Sequence, residues 1–436
     1  MIEIIPVGGF SEIGRNCVIV KYGEEAVMLD LGLHMEHYVK ITQDEYDYGH
    51  IPLNKLVASD AIPDLMVDEF KYVKALCVSH AHLDHIGAIS YHSAKLKFPI
   101  NATRFTCEVI KAILKDKRKK NLDIRVRKEN ETFKVSKNIK VQFINITHST
   151  PQTVVIAVHT PDGCVVYAND FKLDKNPLMG NIPNYEALKN LKNVRALIMD
   201  SLYALDHSST PSESVAKKMI KEALNSNDFE GKNIIATTFS SHIVRIKTLV
   251  EAAKSMNRKP VFVGRSLAKY LDAAKDAGLV NFENEAEFVK FGSNVESYFK
   301  RAGKLDKKFF IVTGHQGEPK AVLSRMVKND VFKFKKDDVV FFCCRIIPNE
   351  ENYRNREVLE SSLKSKGVDI FTDLHVSGHA AREDHKEFIS LVKPEKIIPT
   401  HGEVEMLEAQ RDFCEFLGYK KEDILILKNF EKVNLS

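Results

Sequence analysis

The sequence predicts an α/β protein: two stacked sheets with helices outside, interrupted by an inserted α/β domain of mainly parallel sheet. Three observations carry this expectation. Up to about residue 170, short apolar runs alternate with turns and few helices lie between them. From about residue 210, strand and helix patterns alternate. Past about residue 365, strand-like segments return. The expected division is 1–205 and 366–436 for the sandwich, with the insert at 206–365.

In order, residues 1–7 read as a first strand, with neither a basic stretch nor a small-residue cleavage site. Residues 17–20, 26–30, 73–78 and 141–146 follow as strands rich in β-branched and apolar side chains. Two further strands, 154–158 and 164–168, flank Thr160-Pro161-Asp162-Gly163, a strong hairpin turn. The segment from His34 to Asp64 reads as a long polar loop suited to a substrate channel. Thr210-Pro211-Ser212-Glu213 reads as a helix start, with Thr210 as N-cap and Glu213 closing a capping box. Strand 234–237, helix 242–255, strand 260–263 and helix 266–277 then call for crossover connections and a parallel sheet.

A chain of 436 residues can bury two cores. No apolar run approaches the roughly 18–20 residues that cross a bilayer, so no membrane partner is expected. The seven cysteines are scattered without a C-x-x-C pair, which fits a reduced, cytoplasmic compartment. Lys and Arg outnumber Asp and Glu by only 64 to 59. That excess is too weak to imply nucleic acid by itself. Lys115 to Lys120, with Arg125, Arg127 and Lys128, is dense enough to attract a phosphate backbone, though a solvated helix end is the plainer reading.

The decisive segment is Ser79-His80-Ala81-His82-Leu83-Asp84-His85. Three imidazoles and a carboxylate at H-x-H-x-D-H spacing follow a buried strand, where α/β folds place chemistry. Alternate residues point different ways, so His80 and His82 can grip one cation while Asp84 and His85 grip its neighbour. Two cations need more ligands. His148, Asp170 and His401 each follow an apolar strand, and the two oxygens of Asp170 can bridge. The expected sets are His80, His82, His148 and Asp170 for one metal, and Asp84, His85, Asp170 and His401 for the other. Imidazole with carboxylate suits two Zn²⁺ per chain, with Mn²⁺ a substitute and Mg²⁺ a poorer one. His92, His159 and His207 lack such company and read as ordinary residues.

These residues, in this order, resemble the metallo-β-lactamase superfamily. Further motifs narrow the resemblance to the β-CASP nucleases, and within them to the short archaeal type of ribonuclease J. Gly8 to Asn16 is similar to the family's G-G-x-x-E-I-G-x-N loop, and Asp200-Ser201 to its acidic motif. Thr313-Gly314-His315-Gln316-Gly317-Glu318-Pro319 is similar to the T-G-x-Q-G-E-P signature. His375 to Ala380 and Pro399 to Glu403 are similar to the second and third histidine motifs. His315 departs from the common bacterial Ser, and Cys344 to Glu350 lacks a Gly that often precedes Asn-Glu. The chain stops soon after His401, without the C-terminal domain of bacterial members, so a homodimer would form by other means. The opening loop has the glycine spacing of a nucleotide-triphosphate loop without its Lys-Ser/Thr, so Asn16 and Glu12 are expected to brace the site rather than bind ATP.

The resemblance implies an αββα metallo-β-lactamase sandwich carrying a β-CASP insert. It implies a processive 5′→3′ exoribonuclease that acts on single-stranded RNA, begins at a 5′-monophosphate end and leaves 5′-phosphates. Paired cations lower the pKa of a shared water and clamp both oxygens of an in-line displacement. Asp84 orients that water, and His379 stabilises charge on the phosphate. Ser377, Gly378 and Ala380 add hydroxyl and N–H donors, while Phe239, His242 and Arg265 contact the strand. The rivals are a β-CASP endonuclease acting in RNA 3′-end processing or on DNA, a small-molecule hydrolase, and a noncatalytic scaffold. The long insert argues against the small-molecule hydrolase, and the complete ligand set against the scaffold.

Overall fold

The computed structural model describes residues 1–43, 51–119, 122–290, 292–301, 305–328, 331–347 and 350–435. They form two compact units. One comprises Met1–Lys175, Gly180–Thr210 and Gly378–Ser436, the other Asn176–Met179 and Pro211–Ser377.

The first unit stacks two sheets. A seven-stranded sheet runs in the order Val433–Leu435, Ile2–Gly8, Cys17–Tyr22, Glu25–Leu29, Val73–Cys77, Ile100–Ala102 and Ile124–Val126. A six-stranded sheet runs Lys396–Thr400, Val194–Asp200, Gly163–Ala168, Val154–Thr160, Lys140–Asn145 and Thr132–Lys134. Strand alternation explains the layering. Val154, Ile156, Val158, Val165, Tyr167, Ala196 and Ile198 point into a core shared with Val18, Val20, Val27 and Leu29 of the other sheet. Their neighbours Val155, Ala157, Cys164, Val166, Leu197 and Met199 point the opposite way, into a second core. There Phe388, Ile389 and Val392 of helix Arg382–Val392 cover the sheet. Both faces of these strands are buried, which is why the sequence shows continuous apolar runs.

The second unit holds a six-stranded sheet in the order Glu287–Val289, Lys259–Val263, Lys308–Val312, Ile234–Thr237, Val339–Phe342 and Asp369–Phe371. Every pairing in it is parallel. Helices Ile243–Ser255 and Arg265–Asp276 make the expected crossovers.

Two local expectations are corrected. The segment from His34 to Asp64 is not a structureless loop. It contains helices Met35–Gln43 and Leu53–Ala58, the second anchored by the fully buried Leu56. The polar composition hid them, and Asp44 to His50 lie outside the described residues. The helix expected from Thr210 begins at Glu213, and its N-cap is Ser212, whose hydroxyl accepts from Ser214 N. Thr210 instead donates its hydroxyl to the His379 carbonyl at 2.6 Å.

Helix Arg104–Asp116 ends inside the basic stretch, where Lys117 donates to the Tyr91 hydroxyl; Lys120 lies outside the described residues. All seven cysteines are buried and unpaired. Among the described residues no helix is long and apolar enough to cross a membrane.

Phe143 is fully buried between the sheets, edge-on to Phe133 at 5.3 Å. Phe143→Ala should lower unfolding stability by about 3–5 kcal/mol, read as a drop in the denaturant midpoint without loss of cooperativity.

Candidate metal centre

The strand Val73–Cys77 delivers the motif. After it, Ser79 and His80 leave the sheet, and His82 precedes the short helix Leu83–Ile86. That helix carries Asp84 and His85 on one turn. Asp170 follows the strand Gly163–Ala168, and His401 follows Lys396–Thr400 with φ 53°. His148 sits two residues beyond the buried Ile146.

The structure brings the seven residues together in two groups. His80 Nε2 lies 3.0 Å from His82 Nδ1, and His148 Nε2 lies 3.2 Å from the same atom. Asp170 Oδ2 stands 3.4 Å from His80 Nε2, 3.5 Å from His148 Nε2 and 3.9 Å from His82 Nδ1. Donors about 2.0–2.1 Å from a tetrahedral zinc stand about 3.3 Å apart, and these distances scatter around that spacing. In the second group His85 Nε2 lies 3.4 Å from Asp84 Oδ2 and 3.2 Å from Asp170 Oδ1. His401 Nε2 lies 4.0 Å and 3.8 Å from the same two oxygens. Asp170 thus turns one oxygen to each group.

The chemistry of these atoms fits cations. Asp170 is buried, and its Oδ1 has no hydrogen-bond partner among the described residues. Burial resists its ionisation, but His85, His401, His379 and His80 together hold its pKa well below the usual carboxylate range. Burial and the neighbouring His85 push His80 down to about 4, while burial and His80 push His148 down as well. Neutral imidazoles and ionised carboxylates are the forms that bind metal. His85 goes the other way: burial opposes charge, but Asp170, Asp84 and Asp30 outweigh it. Three carboxylates therefore favour positive charge at that place.

Hydrogen bonds fix which nitrogen each ring turns inward. His148 Nδ1 donates to the Gly378 carbonyl at 2.7 Å, and His85 Nδ1 donates to Asp30 Oδ2 at 2.7 Å. A Cβ at Gly378 would stand 2.9 Å from Ser149 Cβ and 3.1 Å from His148 Cε1, so only glycine fits there. Asn16 works between the groups. Its amide nitrogen donates to the Asp84 carbonyl at 3.1 Å and lies 3.0 Å from His85 Nε2, and its oxygen accepts from His401 Nδ1 at 3.2 Å. Glu12 acts further back, accepting from Gly9 N, Arg15 and Asn429 and holding the loop's shape.

Beside this cluster His379 Nδ1 donates to Asp200 Oδ2 at 2.6 Å, and its Nε2 lies 3.8 Å from Asp170 Oδ2. Burial disfavours its charged form, yet Asp200 and Asp170 outweigh burial and raise its pKa to about 9. Asp200 is itself fully buried and accepts from Leu202 N.

Other expected contacts fall elsewhere. Ala380 is a correction: its N–H is spent on the Phe171 carbonyl and its side chain is buried. His242 is likewise a correction. It is buried as the N-cap of Ile243–Ser255, its Nδ1 accepts from Arg245 N, and its Nε2 lies 3.6 Å from Glu213. Phe239 is half-buried against the His315 ring at 3.9 Å, Arg265 is exposed at a helix start, and Ser377 is half-buried.

Sequence reasoning missed Asp30. This buried carboxylate, at φ 56°, accepts from Ser79 N, Ser79 Oγ, His85 Nδ1 and the Tyr167 hydroxyl, all within 2.9 Å. Its signal was the one that marked Asp170: an aspartate ending an apolar strand. Asp30→Ala frees the His85 ring and should weaken binding at the Asp84–His85–His401 position by about 10–100-fold. Metal analysis after dialysis against graded chelator reads that loss; equal retention by wild type and variant contradicts it.

Comparison with known proteins places this geometry in a family. Residues 12–223 match the metallo-beta-lactamase superfamily, residues 231–360 the beta-CASP domain of ribonuclease J, and residues 369–426 a Zn-dependent metallo-hydrolase RNA specificity domain. The chain is 38% identical to "Ribonuclease J" of Methanocaldococcus jannaschii, over 98% of this chain and 97% of that one. It is 36% identical to "Ribonuclease J" of Pyrococcus abyssi, over 100% and 97%. A crystal structure of a protein of unknown function from Enterococcus faecalis V583 matches with TM-score 0.67 over 99% of both chains, at 15% identity, which shows the shared fold alone. With relatives this similar along the whole chain, the protein belongs to the ribonuclease J family, a β-CASP branch of the metallo-β-lactamase superfamily.

Proposed function

We propose that this chain is a metal-dependent ribonuclease that hydrolyses phosphodiester bonds of single-stranded RNA. The observation that carries the reading is Asp170, a buried carboxylate with one oxygen turned to each of two imidazole-rich donor groups. The names of the relatives and the RNA specificity match support RNA as the substrate.

His80, His82, His148 and Asp170 would hold one cation, and Asp84, His85, Asp170 and His401 the other. Two Zn²⁺ suit these donors, with Mn²⁺ a substitute. When bound, such a pair activates water and neutralises charge on both oxygens of a displacement. The chain's own groups do the rest. The Asp84 carboxylate, partly open to solvent, orients the attacking water and accepts its proton as the P–O3′ bond breaks, and the departing 3′-oxygen takes up a proton to leave as a hydroxyl. His379, held charged by Asp200, donates from Nε2 to a non-bridging phosphate oxygen. Ser377, Phe239 and Arg265 are assigned to the substrate strand. The mode we propose is 5′→3′ exonucleolytic, starting at a 5′-monophosphate and leaving 5′-phosphates.

His379→Ala should reduce kcat by about 10²–10³-fold while bound metal per chain holds; full activity removes the role. Asp200→Asn withdraws the charge that raises His379, so activity should fail at lower pH as the imidazole loses its proton earlier. An unmoved alkaline limb would contradict that link.

Single-stranded RNA labelled at either end, with monophosphate, triphosphate or hydroxyl 5′ termini, tests the mode. Early labelled mononucleotide from only the 5′-labelled, monophosphorylated strand is expected. Internal fragments from both labels would point instead to an endonuclease.

A further inference from the structure

We propose that His34 and His37 form a stacking platform for the base of a nucleotide next to the scissile phosphate. This inference rests on the ribonuclease reading above. The two imidazoles lie within 12° of parallel with centroids 3.8 Å apart. That spacing is close to the roughly 3.4 Å rise of stacked bases. Both rings are half-buried, so the stack keeps part of its surface in solvent.

Their position ties them to the centre. Gly32 N donates to the Asn16 carbonyl, Leu33 N to the Leu83 carbonyl, and Arg15 N to the Leu33 carbonyl, so the chain entering His34 is laced to the loop bearing Asp84. A Cβ on Gly14 would meet His34 Cα at 3.7 Å and Asp84 Cβ at 3.5 Å, which places the His34 backbone no more than about 7 Å from Asp84. A single nucleotide spans that distance.

The electronic state suits stacking. His37 N donates to His34 Nδ1 at 3.4 Å, which leaves the His34 proton on Nε2. Burial and the adjacent His37 lower the His34 pKa, which disfavours a charged ring there. His37 Nδ1 is buried without a hydrogen-bond partner among the described residues. A framework histidine in the same unit, His92, also has an unpartnered Nδ1 but is almost fully buried, whereas the His34 and His37 rings are half-buried.

The test uses the metal-loaded full chain and two strands: single-stranded RNA, and the same strand with abasic ribonucleotides at its cleaved end. Wild type should prefer the base-bearing strand in kcat/KM. In His34→Ala/His37→Ala that preference should shrink by about tenfold to a hundredfold, mainly through KM. His34→Phe/His37→Phe should restore it, because a flat ring suffices. A double-alanine variant that keeps the wild-type preference overturns the platform. So does a variant that loses bound metal and both activities together, since the pair would then belong to the framework. Wild type that cleaves neither strand defeats the ribonuclease reading instead.

Discussion

Asp170 is the constraint on which the rest depends. A buried carboxylate with an unpartnered oxygen costs several kcal/mol unless positive charge sits beside each oxygen. Here five histidines from three separated stretches of chain crowd around it. Imidazole nitrogens facing one another at 3.0–3.2 Å cannot all carry protons. Lone pairs and negative charge thus converge on two places, and cations resolve both conflicts at once. The sheets position the groups: Asp30, Asp170 and His401 stand just beyond the ends of strands, and Asp200 is the last residue of one.

Outside that cluster, the chain spends its polar side chains on aiming rings. Asp30 fixes His85, the Gly378 carbonyl fixes His148, Asn16 fixes His401, and Asp200 fixes His379. Each bond occupies one ring nitrogen and leaves the other for chemistry. The His379 loop is held three more times through its backbone, by Thr210, Phe171 and Asp384. The His379 role proposed above needs placement within a fraction of an ångström, which such pinning would supply.

Much of this was legible because spacing on one loop is local information. H-x-H-x-D-H declares a donor cluster wherever it sits, and strand-end His148, Asp170 and His401 could be added by analogy. Asp30 carried the same strand-end signal as Asp170 but was passed over, since its partners lie 49 to 137 residues away and it faces no cation itself. The N-cap slipped from Thr210 to Ser212 because both hydroxyls satisfy the same local rule. His242 looked like a strand contact because sequence does not show that its Nδ1 caps a helix. Ala380 failed for a similar reason: its N–H is claimed by Phe171, more than two hundred residues earlier. The helix Met35–Gln43, hidden in polar sequence, proved to carry His37, which stacks on His34 just before it.

The most direct test of the account is a calorimetric titration of metal-free chain with Zn²⁺, beside the Asp170→Asn variant. Two ions should bind per wild-type chain, and binding should weaken at both positions in the variant, since one carboxylate serves both. A single ion in the wild type, or two full-affinity ions in the variant, would contradict it.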